Sequence, residues 1–373
     1  MSKASRQGIL RTTGQWLTEA ACAFILAVLM VINLAPGAQG QAVLPPPQPV
    51  VSTIPSNGDV NPYGVAIAPL HLAAGLVLQH DDVLVTNFNN AENLQGTGTT
   101  IVRVDRGGHS SLFFQGTQTS GLTAALGIVN RGYVFAGSLP TADGTSNTVQ
   151  AGSLLILDGN GTLVGQYANS SYIDGPWGMA IADGGNVAHV FVSNVLNGTI
   201  TRLDMAFPAG ALPVIHKVTQ IGAGFGHRTD PAALALGPSG LAFDAKNDVL
   251  YVASSTDDAV YALNGALTAK ATLGSGELVY QDSIHLHGPT QMTFAPNGDL
   301  LVANSDGLNA DPAQPSEIVE FTTAGQFVAQ FSVDANNGGA FGIAAEKVGS
   351  RAVRIVTVDD NRNTVTSWTD VLP

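Results

Sequence analysis

Cysteine is almost missing from this chain: among 373 residues only Cys22 carries a thiol, so no disulfide framework and no thiolate metal site is expected. Charge is scarce too. Asp, Glu, Lys and Arg make up 12% of the residues. That is too little for helical bundles, which carry Glu and Lys on their outer faces. It is also too little for a disordered chain, which stays open through charge. The formal net charge is −13 and no Lys/Arg run interrupts the folded part. An acidic surface repels phosphate backbones, which removes nucleic acid from the expected partners. Also missing are a Gly-x-Ser-x-Gly elbow, a His-Glu-x-x-His pair and a phosphate-binding loop.

What is plentiful is glycine, 43 residues, within a composition that is 45% hydrophobic. Gly and Val in these amounts suit many short strands joined by tight turns. The first forty residues read differently. Lys3, Arg6 and Arg11 precede an apolar run over residues 20–35, and Ala38-Gln39-Gly40 offers a small-x-small cleavage site. Residues 1–40 are expected to be a secretory signal peptide, which places the protein in the periplasm or outside the cell. The apolar run is shorter than the roughly 20 residues of a comfortable spanning helix. An uncleaved segment is the alternative, and the only contact with a membrane that is expected. Residues 41–49 include Leu44-Pro45-Pro46-Pro47-Gln48-Pro49, an extended polyproline-type spacer. Folding is expected over residues 50–373.

One phrase recurs through that stretch. It reads Asn61-Pro62-Tyr63-Gly64-Val65-Ala66, Gly175-Pro176-Trp177-Gly178-Met179-Ala180 and Gly237-Pro238-Ser239-Gly240-Leu241-Ala242. Looser copies are Gly288-Pro289-Thr290-Gln291-Met292-Thr293, Gly339-Ala340-Phe341-Gly342-Ile343-Ala344 and Ala125-Leu126-Gly127-Ile128. The equivalent positions 64, 127, 178, 240, 291 and 342 recur at the spacing of a four-stranded blade. Each phrase precedes a second β run with a small or polar end, at Asn87, Gly137, Asn194, Ser254, Asn304 and Asp359. The last repeat lacks a fourth strand, whereas residues 50–54 form a strand with no repeat of their own. The expectation is an all-β, six-bladed propeller of four-stranded blades, its ring closed by pairing of residues 50–54 with residues 364–368.

The phrase Pro-x-Gly-[Val/Ile/Leu]-Ala, followed by a β run ending in Asn and then by Asn and Ile, resembles the NHL repeat. Residues 175–203, with Asn194, Asn197 and Ile200, carry the likeness best. The resemblance covers residues 50–370 and implies the six-bladed TolB-like class, which hosts binding scaffolds, lactonases and lyases alike. In the similar gluconolactonase-like propellers a divalent metal sits in the central channel, held by carboxylates and amides near the phrase glycine. The equivalent positions here are Tyr63, Leu126, Trp177, Ser239, Thr290 and Phe341, with no carboxylate among them.

The expected site is therefore a channel mouth without a resident cofactor. Tyr63, Trp177 and Phe341 supply rings that stack on sugars, other rings or apolar side chains, or that plug the hub. Gln291 and the strand ends Asn87, Asn194, Asn304 and Asp359 are further ligand-binding candidates, although Asn and Asp also hold turns. A metal alternative rests on His285 and His287, two residues apart on one strand face, with His227 as a third ligand. Long connections at residues 89–100, 138–152, 222–236, 274–287 and 306–316 all open on the same face as the phrase. That face is the expected binding surface. The function expected is that of a monomeric exported scaffold binding a small molecule or protein; the alternative is a metal-dependent lactonase or lyase.

Overall fold

The structure, a computed structural model, describes residues 50–116, 120–282, 284–305, 310, 313–350 and 352–371. The expected signal segment (1–40) and spacer (41–49) lie outside the described residues, as does most of the 306–316 connection. The fold is all-β: 26 strands and no helix among the described residues. Six sheets of four antiparallel strands form the blades. Their innermost strands are Val60–Ile67, Leu122–Ile128, Pro176–Asp183, Pro238–Asp244, Pro289–Phe294 and Ala340–Val348. Each touches the next around a ring, and the last touches the first.

Blade 6 is closed as expected. Val50–Ser52 pairs antiparallel with Thr364–Val371, with Val50 opposite Thr366 and Ser52 opposite Thr364. The two ends of the fold thus share one sheet, with Val50–Ser52 as its outermost strand.

The repeated phrase proves to be a bulge. In five blades the register between first and second strand shifts within the phrase, for example between Pro62 and Val65, Pro176 and Met179, and Pro238 and Leu241; in blade 2 it shifts between Leu122 and Leu126, at the phrase's start. A bulge re-aims one side chain and bends the strand, which puts the residue before the glycine at the channel mouth. The glycine itself is a requirement of space. A Cβ on Gly178 would meet the Ser239 carbonyl oxygen, and one on Gly342 would meet that of Tyr63. A Cβ on Gly240 would lie 2.5 Å from Gln291 Cα. At these contacts the blades can approach only because the backbone carries no side chain.

Close approach leaves inner-edge carbonyls facing a neighbouring blade, and hydroxyls satisfy them. Thr86 Oγ1 donates to Thr123 O (2.8 Å), Thr123 Oγ1 to Pro176 O (2.7 Å) and Ser193 Oγ to Ser239 O (2.6 Å). Ser239 Oγ donates to Pro289 O (2.6 Å) and Thr290 Oγ1 to Phe341 O (2.8 Å). Blades 1 to 6 are thereby stitched in order. Between blades 6 and 1 the link is an amide instead: Asn363 Oδ1 accepts from Asn61 N at 2.7 Å.

Six apolar clusters fill the seams between neighbouring blades, and a seventh sits at the channel mouth. The seam between blades 6 and 1 is built on valine: Val65, Val83, Val85, Val104, Val356, Val358 and Val365.

Removing one stitch should leave a buried carbonyl unmet. Ser239→Ala is expected to cost about 1–3 kcal/mol in urea unfolding. Gly240→Ala, which drives a methyl into the next blade's backbone, should cost more. Equal unfolding midpoints for the two variants and the parent would remove hub closure as the constraint.

Candidate functional site

Four rings fill the mouth of the channel. Tyr63 lies between Phe341 (centroids 3.9 Å apart, planes 3° apart) and Phe88 (4.6 Å, 17°). Trp177 meets Tyr63 at 5.8 Å and Phe88 edge-on at 5.6 Å. Both faces of Tyr63 are therefore used within the protein. Tyr63, Trp177 and Phe88 are buried, and Phe341 is the most accessible of the four. The bulges of blades 1, 3 and 6 bring Tyr63, Trp177 and Phe341 together; Phe88 joins them from the second strand of blade 1, Val83–Asn89. Sequence reading missed Phe88. It stands next to the strand-end residue Asn87, which was its only available signal.

Above this floor opens a pocket of about 510 Å³. Its rim carries Asn61, Asn89, Asn93, Gln95, Asp258 and Asp360, among other residues. Two of the long connections meet there. The first supplies Asn89, Asn93 and Gln95. The second contains a hairpin that the sequence did not reveal, Arg228–Asp230 paired with Leu234–Leu236. It lies beside the rings: Leu234 and Ala235 pack in the same cluster as Tyr63 and Trp177. Gln95 Nε2 donates to Ala232 O at 2.9 Å and ties the hairpin tip to blade 1. Asp230 Oδ1 shapes that tip by accepting from Ala232 N and Ala233 N (2.8 and 3.2 Å). Leu234 is fully buried at φ +63°, a left-handed conformation that costs a bulky residue free energy.

Asn61, also left-handed at φ +68°, organises the polar wall. With its amide assigned from the hydrogen-bond network, the nitrogen donates to the Asp360 carboxylate (2.6 Å to Oδ2). Its oxygen accepts from Asn89 Nδ2 (2.9 Å) and from the Tyr63 hydroxyl (3.2 Å). Burial, reinforced by the Asp360 charge, pushes the Tyr63 hydroxyl well above its ordinary range. Burial and the neighbouring Asp359 carboxylate push Asp360 well above the usual carboxylate range, while the Asn61 amide nitrogen works in the opposite direction.

The remaining predicted residues lie elsewhere. Asn87, Asn194 and Asn304 are fully buried and hold backbone. Asn87 Nδ2 donates to Thr53 O (3.0 Å), and Asn194 Nδ2 to Tyr172 O (2.9 Å) while its oxygen accepts from Asp174 N (3.0 Å). Asn304 Oδ1 accepts from His287 N (2.6 Å). Each clamps the segment entering its blade. Gln291 reaches across the channel from blade 5, Nε2 donating to Ala124 O (3.3 Å), beneath the rings.

Asp359 turns away from the pocket, accepting from Arg362 N (3.2 Å) beside Asp334; Arg362 Nε bonds Asp334 Oδ2 at 2.7 Å. Burial and the Asp334 charge push Asp359 up to about 6. His285 bonds Asp282 Oδ2 through Nδ1 (2.6 Å), and the Tyr280 hydroxyl is 2.9 Å from the same nitrogen. His287 is buried in the same connection. His227 Nδ1 contacts Phe225 O at 3.0 Å in another. No three His, Cys, Asp or Glu side chains among the described residues are placed to hold a metal ion. The phrase positions do not fit a divalent cation: three rings, a leucine and two hydroxyls already bonded to backbone occupy them.

Fold and site together define a six-bladed β-propeller with an aromatic-plugged hub and an amide-rimmed pocket. No protein-family model matches the chain, and no curated protein matches it. Among solved structures it is similar to a calcium-binding protein, regucalcin, from Agrobacterium tumefaciens. That likeness has 10% identity and a TM-score of 0.52 over 87% of this chain and 95% of the other. It is also similar to a streptogramin B lyase (15%, 0.47, 86% and 86%) and to a gluconolactonase from Xanthomonas campestris (13%, 0.45, 88% and 99%). At these identities the likeness is one of fold.

The Asp359 environment yields a pH signature. Its carboxyl titrates higher in the native state than in the unfolded chain. Its contribution is therefore fully present below about pH 4 and is lost as pH rises through about 6. At neutral pH the native state is weakened by at most about 3 kcal/mol. Asp359→Asn, which keeps an oxygen for Arg362 N, should be more stable than the parent at pH 7.5. The gain should vanish near pH 4. A pH-independent difference in urea midpoints would refute the assignment.

Proposed function

We propose that the protein is an exported binding propeller that takes a small, neutral, ring-shaped polar ligand in the pocket over its hub, a sugar being the type. The observation carrying this reading is the pairing of one accessible aromatic floor with an amide rim. Phe341 offers a flat apolar surface, on which a sugar ring stacks through its C–H face. At the rim Asn93 Nδ2 can donate and Gln95 Oε1 can accept, the two roles that neutral hydroxyls require, while Asn61 and Asn89 are bonded to each other and to Asp360, Tyr63 and Asn93. The pocket is of a size suited to a small molecule. The protein acts as a monomer in the periplasm or outside the cell.

A second reading, a hydrolase or lyase, is favoured by one observation. Asp360 lines the pocket and is biased toward its protonated form, which suits a carboxyl for proton donation. Asp360→Asn separates the two readings. It should abolish turnover of a lactone or lyase substrate if Asp360 donates a proton, and should leave affinity within a few-fold if the protein only binds.

A thermal-shift screen of mono- and disaccharides against the full chain, followed by calorimetry on any hit, tests the proposal. Phe341→Leu should weaken the hit about tenfold or more, and Arg106→Ala, which lies outside the pocket, should change it little. A hit indifferent to Phe341 would mean that the pocket over the hub is not the site.

A further inference from the structure

The polar wall of the pocket is a row of side chains in contact end to end: Asp360, Asn61, Asn89 and Asn93. At its head Asn61 Nδ2 donates to the Asp360 carboxylate (2.6 Å to Oδ2), and the Asn61 oxygen accepts from Asn89 Nδ2 at 2.9 Å. Asn89 Nδ2 gives its other hydrogen to Asn93 Oδ1 at 2.7 Å. Asn93, exposed at the rim, keeps Nδ2 to donate.

A side-chain amide carries its donor and its acceptor on two arms of nearly equal size, so it can turn over without moving its neighbours. Which way Asn61 turns depends on what Asp360 offers. An ionised carboxylate only accepts, and Asn61 must show it the nitrogen. A protonated carboxyl has one O–H to give and takes the Asn61 oxygen instead. Asn61 Nδ2 then points to the Tyr63 hydroxyl oxygen, 3.2 Å away, and to Asn89. Asn89 answers with its oxygen, Asn93 turns its nitrogen inward, and the rim is left with Asn93 Oδ1. The row is the same and its direction is reversed.

Asn89 keeps the two directions close in free energy. It is buried, and its Oδ1 has no hydrogen-bond partner in the first direction. In the second its nitrogen takes that unmet place, so one arm goes unpaired either way. A long contact from Asn89 Nδ2 to Asn93 O (3.5 Å) favours the first. The cost of burying the Asp360 charge favours the second. The groups around Asp360 bear on the balance. Asp359 stands beside it, and Arg362 lies between Asp359 and Asp334 (Nε 3.5 and 2.7 Å from their Oδ2 atoms). The Tyr63 hydroxyl is reached through Asn61, and Asp258 and Arg228 line the same pocket. Of these charges, that of Asp359 acts on Asp360, and it favours the protonated form.

We propose that Asp360 is a specificity-determining residue of the pocket, setting through Asn61 and Asn89 whether Asn93 offers a ligand a donor or an acceptor. With Asp360 ionised, the rim takes an oxygen that only accepts, such as an ether or a carbonyl. With Asp360 protonated, it takes a group that donates, such as an amide N–H. A sugar hydroxyl does both and is held in either state. The inference rests on the pocket over the hub being the ligand site, and adds which substituents of fixed polarity that site admits at a given pH.

Side-chain amide NMR on the full chain, labelled with nitrogen-15 at asparagine and free of any ligand, tests this. From about pH 4 to about pH 9, the Nδ2 resonances of Asn61, Asn89 and Asn93 should move together with one midpoint. Asp360→Asn should abolish that transition at all three. Asp359→Asn should lower the midpoint, because the neighbouring charge is gone. In Asn89→Ala the Asn61 resonance should still move, which also reports an intact fold, while Asn93 falls silent. An Asn93 response that survives Asn89→Ala would overturn the proposal, because Asn93 would then sense charge through space. So would an Asn93 resonance that stays still in the parent. No ligand enters the measurement, so a failed saccharide screen leaves the relay standing, and a failed relay leaves the pocket standing as a binding site.

Discussion

The structure depends on how closely six strands can approach one axis. An innermost strand has a partner on one side only, and its other edge faces the hub with polar backbone groups that must be paired. Side chains there would hold the blades apart. The chain answers with a bulge, a glycine at the tightest contacts, and a serine or threonine hydroxyl for the neighbouring carbonyl. Ser239 does this for Pro289 and Thr290 does it for Phe341. Where the phrase has glutamine in place of glycine, the Gln291 side chain runs across the channel to Ala124 O instead.

That arrangement settles what the mouth can become. Once the hub is closed by backbone, the residue ahead of each glycine is the first free to vary. In three blades it is aromatic. A ring buried on both faces, as Tyr63 is, contributes packing and no binding surface. The accessible surface of the mouth therefore lies outward, on Phe341 and the connections above it. The strained backbone at the mouth sits at Leu234 in the hairpin above the rings and at Asn61, where the innermost strand of blade 1 enters the phrase.

The blades were legible in the sequence because the phrase, the β runs and the missing fourth strand each follow from local chemistry repeated six times. The pairing of Val50–Ser52 with Thr364–Val371 followed from counting strands. The pocket was legible only in part. Tyr63, Trp177 and Phe341 occupy equivalent repeat positions, so repeat logic brought them to one place. Asn93, Gln95 and Asp360 come from connections that do not repeat, Phe88 from a strand interior, and Asn61 from a phrase position where most other copies have glycine. Their meeting is a product of tertiary geometry alone. Asn87 and Asn194 share a repeat position for a structural reason, since each clamps the segment entering its blade. A polar residue at a repeated position is thus ambiguous: repetition serves the scaffold as readily as the site.

Blade 6 departs from the others in a consistent direction. Its inner strand is flanked by three buried or recessed carboxylates, Asp334, Asp359 and Asp360, with Arg362 beside the first two. Burial and the Asp334 charge hold Asp359 above its ordinary range, burial and the Asp359 charge do the same for Asp360, and each weakens the native state at neutral pH. A purely structural turn has no need of this, because the strand ends of the other blades use Asn, Ser or Gly with the same backbone geometry. The acids also cannot be accounted for by ring closure, which Val50–Ser52 and the valine seam provide on the far side of the sheet. Asp359 backs Asp360 electrostatically, and Asp360 faces the pocket beside Asn61. The stability forgone in blade 6 is thus placed where it biases the protonation state of a pocket wall.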